Sequence, residues 1–154
     1  MAAKPPKTID HRAFGTFQFV NGHYFTTVDW CGFTVDFTVE CNHAFVIQSI
    51  DMAANLIDFQ DNWAAKLRQF VPPKLADLQK NIGTEWSARA RSRIIKSLKP
   101  HWMAVYVEES GRMFKEFFLY TDDPAFPKGA SEFYLRIIAS SEPAFVSFEL
   151  QGGY

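Results

Sequence analysis

Three sets of side chains in this chain of 154 residues have the chemistry to act on, or hold, another molecule. The first is acidic: Asp58 with Asp61, Glu108 with Glu109, and Asp122 with Asp123 a few residues before Phe126. Paired carboxylates work as acid and base in glycoside hydrolysis, or hold a divalent cation, when a fold makes them converge. Adjacent acids in turns more often face water or shape the turn itself. The second set is basic. Between Lys66 and Lys99 there are nine Lys and Arg against two acids, a charge of +7, which leaves −8 on the rest of a chain whose total is −1. At helical spacing Arg89 and Arg93 share one face, Lys96 extends it, and Arg91 points elsewhere. Guanidinium forks suit phosphate or carboxylate groups. A pI of 6.4 disfavours a nucleic-acid partner, so a solvated helix face paired with the acidic remainder is the simpler reading.

The third set is nucleophilic or metal-ligating, and its spacing is poor. His11, His23, His43 and His101 form no HxH, HExxH or HxxxH pattern. Cys41-Asn42-His43 has the residue types of cysteine-nucleophile chemistry, but neighbours on a strand point to opposite faces. Cys31 and Cys41 stand roughly 30 Å apart if one strand joins them, beyond disulfide reach, and two thiols of this kind fit a reducing, cytoplasmic setting. GxSxG, Walker and GxGxxG loops are absent from the sequence. These observations predict no catalytic residue, no metal and no cofactor.

The elements that must position these groups follow from hydrophobic period. Phe14 to Val20 and Tyr24 to Trp30 flank Asn21-Gly22, a hairpin signal. Phe33, Val35, Phe37, Val39 and Cys41 alternate with Thr34, Asp36, Thr38 and Glu40, the period of a strand with one wet face. Met52, Leu56, Phe59, Trp63, Leu67 and Phe70 then recur at threes and fours, which predicts one amphipathic helix over 51–70 ended by Pro72-Pro73. A short helix over 74–81 follows, and a third starts at Thr84 or Ser87 and stops before Pro100. Segments 103–108 and 113–120 form a hairpin around Ser110-Gly111, and 132–139 and 144–150 are two more strands about Ser141-Glu142-Pro143. The segregated order predicts an α+β domain over residues 13–154, with a largely antiparallel sheet (βββ-ααα-ββββ) and helices packed on one face. Residues 1–12 read as a disordered lead-in without a secretory signal. No apolar run is long enough to span a bilayer. With 16 Phe, 4 Trp and 5 Tyr, the core is built from large flat rings, among them Phe14, Phe17, Phe19, Phe33, Phe37, Phe117 and Phe118.

The layout also resembles a loose group of small uncharacterised bacterial proteins encoded beside polymorphic toxins and regarded as their immunity proteins. The likeness is carried by Trp30-Cys31-Gly32-Phe33, Asp58-Phe59, Asn62-Trp63, Leu98-Lys99-Pro100 and Tyr120-Thr121-Asp122-Asp123. Relatives follow the acidic turn with an aromatic residue, glycine and histidine, where this chain has Phe126-Pro127-Lys128-Gly129-Ala130. The resemblance implies a non-enzymatic inhibitor that docks on a cognate toxin and occludes its active site. For a toxin with a basic cleft, the expected contact face is Glu108, Glu109, Asp122 and Asp123 with Phe126 as apolar anchor. For an acidic target it is Arg89, Arg93 and Lys96. A structural or assembly module and a small nucleic-acid-binding domain are the alternatives.

Overall fold

The computed structural model describes residues 4–40, 43–82, 85–126, 133–140 and 145–152. Cys41, the Pro127-Lys128-Gly129 loop and the Ser141-Glu142-Pro143 turn fall outside them. Four strands come first: β1 (Thr8–His11), β2 (Gly15–Val20), β3 (His23–Trp30) and β4 (Phe33–Glu40). A 3-10 turn (His43–Phe45) leads into α1 (Val46–Ala53), α2 (Asn55–Asp58), α3 (Gln60–Ile82) and α4 (Ala88–Ser97). Then come β5 (Lys99–Val107), β6 (Met113–Tyr120), β7 (Phe133–Ser140) and β8 (Phe145–Gly152). The chain is α+β, and its eight strands lie side by side in sequence order.

This corrects the expected βββ-ααα-ββββ order in three respects. The lead-in contains a strand, because Ile9 is buried opposite Phe17 and Thr16 Oγ1 donates to Asp10 Oδ1 at 2.7 Å. With only one apolar residue in four, β1 has no periodicity to read. The sheet is mixed, since β4 and β5 run parallel, with Phe37 opposite Met103 and Val39 opposite Val105. A parallel pair needs a crossover of a dozen residues or more, which the helical block supplies. Nor do the helices form one layer on one face: α1 packs on β4 and β5, whereas α3 packs on α4 and β8, and α2 is a single turn linking them.

Local chemistry explains the turns. Asn21-Gly22 and Cys31-Gly32 each take two positive φ angles, 51° and 88° in the first and 51° and 85° in the second, closing two-residue hairpins whose twist matches the strands. Asparagine tolerates this conformation, whereas cysteine adopts it at a cost. Gln60 holds Cys31 there: its Oε1 accepts from the Cys31 N–H at 2.7 Å and its carbonyl accepts from the Cys31 thiol at 3.6 Å.

The helical block departs furthest from the expected single helix over 51–70. Breaks at Ala54 and Phe59 divide it, and the buried stripe of α3 is Trp63, Leu67, Val71, Leu75 and Leu78. Met52 and Phe59, which the uninterrupted helix would bury, are 51% and 58% exposed. The helix does not end at Pro72-Pro73 but runs through both prolines to Ile82, absorbing the expected second helix. Continuing it keeps Leu75 and Leu78 buried, each worth roughly 1.5–3 kcal/mol. The last helix starts as expected, with Ser87 Oγ accepting from Ala90 N–H at 3.1 Å.

The core gathers Phe14, Phe17, Phe37 and Phe117 around Trp30 and Trp63. Phe14 stacks on Phe37 with ring centres 4.6 Å apart, and Trp63 lies 5.6 Å from Phe117. Of the rings expected inside, Phe118 is also buried and Phe19 partly so, but Phe33 is exposed. Among the described residues no helix is long and apolar enough to cross a membrane.

Candidate functional site

The acidic and aromatic residues expected to form one face are divided by the fold between structural and free roles. Asp123, at the end of the turn after β6, is buried and fully engaged. Its Oδ1 accepts from Ala125 N–H at 2.9 Å, its Oδ2 accepts from Arg93 Nε at 3.3 Å, and its own N–H donates to Thr121 Oγ1 at 3.1 Å. The Ala125 amide and, after it, Arg93 hold the carboxyl below the usual aspartate range, against the opposing effect of burial. Phe126, expected as the apolar anchor, is buried in the free chain, with its ring 5.9 Å from that of Trp86 and nearly parallel to it. Trp86 Nε1 fixes the same loop by donating to the Ala125 carbonyl at 2.8 Å. Asp122 stays exposed.

Arg93 thus joins the two faces that the sequence offers as alternatives, tying the basic helix to the acidic turn. On α4, Arg89 and Lys96 remain exposed, while Arg91 donates to Gln79 Oε1 at 3.2 Å. Of the earlier acids, Asp61 is exposed and Asp58 is committed. Asp58 takes both Arg12 guanidinium nitrogens, at 3.0 and 3.1 Å, and this contact holds its carboxyl below the ordinary range. His11 Nε2 meets Asp51 Oδ1 at 2.8 Å, so two side chains at the end of β1 clamp it to α1 and α2. Among the described residues, no group of three or more His, Cys, Asp and Glu side chains could hold a metal ion.

Glu108 and Glu109 combine expected chemistry with an open surface and a depression beside it. They sit at the β5–β6 hairpin tip, shaped by Glu108 N–H donating to the Arg112 carbonyl at 2.9 Å. The tip and α1 enclose a depression of about 620 Å³, lined by Glu108, Glu109, Gln48, Phe45 and Met52 among others. Phe45 and Met52 are 54% and 51% exposed, and Ile47 and Phe59, in the same stretch of chain, are exposed as well. Between Met52 and Phe59, the Asn55 Oδ1 atom is buried without a hydrogen-bond partner.

No family model, curated protein or solved structure matches the chain. What the surface offers a partner therefore rests on its own residues: apolar side chains of which three, Phe45, Ile47 and Met52, are about half exposed, and two acids at the rim. Sequence reasoning did not reach Phe45, and it put Met52 and Phe59 in the core. Only the helix breaks at Ala54 and Phe59 turn that stripe outward, and neither residue is a conventional helix breaker.

Proposed function

We propose that this protein is a non-enzymatic inhibitor of the immunity type, which neutralises a cognate toxin by docking through α1, α2 and the β5–β6 tip. The carrying observation is the exposure of two large apolar side chains, Phe45 and Met52, in the depression they share with Glu108 and Glu109, with Ile47 and Phe59 also exposed in the same stretch of chain. Solvent exposure of such a group is costly unless a partner covers it. Apolar anchors ringed by charge are the pattern of an interface whose centre supplies affinity and whose rim supplies orientation and speed. The acids suit a target with a basic cleft. The resemblance to toxin-associated proteins favours the same reading.

Co-expression with the toxin encoded beside its gene, scored for survival, is the direct test. The wild-type chain should protect. A Phe45→Ala/Met52→Ala double variant should weaken toxin binding by 2 kcal/mol or more, about 30-fold, with its circular dichroism unchanged. Glu108→Gln/Glu109→Gln should chiefly slow association and reduce its salt dependence. Full protection by the apolar double variant, or failure of the wild-type chain to bind the toxin, would overturn the reading.

A further inference from the structure

We propose that a second surface, the cleft between the β3–β4 turn and helices α3 and α4, binds an amphipathic monocarboxylate: an alkyl chain of medium length ending in a carboxylate. The cleft has a volume of about 380 Å³, at the small end of the range of ligand sites. Leu67 and Val71 of α3, Ile95 of α4, Trp30 and Leu119 give it an apolar lining. Phe33, 38% exposed, stands at this cleft while the next three apolar residues of its strand, Val35, Phe37 and Val39, are buried.

Charge complementarity selects the ligand. Two cations, Arg68 and Lys96, reach the cleft from facing helices. Both are exposed, and among the described residues neither forms an ion pair. The neighbouring Arg93 is held by Asp123, and so cannot serve in their place. The thiol of Cys31 also lines the cleft; burial and then the nearby Asp61 charge push its pKa up against the opposing pull of Arg68, so it stays neutral and does not compete for the cations. An apolar tail would cover Phe33 and the half-buried Ile95, Leu98 and Pro100, and a carboxylate would receive charge-assisted hydrogen bonds from Arg68 and Lys96. A neutral alkyl ligand satisfies only the first of these, and an alkylammonium ion would meet two like charges. The cleft shares no lining residue with the docking depression, and its ligand does not depend on the toxin reading.

The test is an NMR titration of the uniformly ¹⁵N-labelled full-length chain with octanoate and, separately, 1-octanol. Octanoate should produce saturable shifts centred on the amides of Cys31, Leu67, Arg68, Ile95 and Lys96. Octanol should bind about tenfold more weakly. An Arg68→Gln/Lys96→Gln variant should lose about tenfold in octanoate affinity while its octanol affinity is unchanged. Both side chains are exposed, so the variant keeps its fold, which its spectrum checks directly. Equal affinity for octanoate and octanol, undiminished octanoate binding by the variant, or shifts that are absent or centred elsewhere would each overturn the proposal.

Discussion

An aromatic ring three residues after an acidic pair has two possible uses, and at Phe126 packing decides between them. As an anchor it would be exposed and its loss would weaken binding; stacked on Trp86 in a loop pinned by the Trp86 indole, it contributes to stability instead. Phe126→Ala should therefore destabilise the protein by about 3–5 kcal/mol, read from urea unfolding, with no specific loss of toxin affinity in the variant that remains folded. An unchanged unfolding midpoint would return Phe126 to the surface. Glu108 and Glu109 lie on an open rim, whereas Arg93, expected to face a partner, meets a carboxylate of its own chain. Which acid is spent internally was not legible. Asp122 and Asp123 are identical in composition and adjacent in sequence, yet only the second points at Ala125 and Arg93. That difference combines a local turn contact to Ala125 with a contact to Arg93 across 30 positions of chain, and no local pattern refers to the second.

Elements with strict period were legible and those with interrupted period were not. The alternation in β4 and the Asn21-Gly22 turn place strands correctly because side-chain direction and turn twist are local properties. The four-residue β1 depends on a neighbouring strand for its stability and leaves no such trace. Helix α3 shows the converse, tertiary burial overriding a local stop signal. Pro72 and Pro73 remove the N–H groups that would bond the carbonyls of Arg68 and Gln69, and they are tolerated because the stripe from Trp63 to Leu78 remains buried. Pro73 is itself exposed, so replacing it disturbs no packing. Pro73→Ala should restore one helical hydrogen bond and raise stability by about 2 kcal/mol: roughly 3 kcal/mol of helix propensity, less up to about 1 kcal/mol for the looser unfolded chain. Chemical denaturation measures the gain directly, and a loss of stability would mean that the prolines fix a helix geometry the core requires.

At the scale of the whole molecule, two carboxylates carry ties between distant parts of the chain. Asp123 joins the segment of charge +7 to the acidic remainder through Arg93, and Asp58 holds the end of β1 against the helices through Arg12. Both have folded-state pKa values below the ordinary aspartate range, Asp123 chiefly through the Ala125 amide and Asp58 chiefly through Arg12. The unfolded chain therefore takes up protons first on acidification. Stability from these groups is complete above the unfolded value of about 3.9 and is lost as the pH falls through that value and then through the depressed folded ones. Neither contributes to any change between pH 7 and about pH 5. An Asp58→Asn/Asp123→Asn variant should be less stable than wild type at pH 7, since both ties are broken. It should also lose less stability from pH 5 to pH 2.5, because the groups whose protonation drives that loss are gone. Urea midpoints measured across this range distinguish the two effects. Parallel wild-type and variant curves would show that other carboxylates control acid unfolding. Convergence of the curves at low pH would show that these two ties hold β1 and the α4 segment in place only while their acids are ionised.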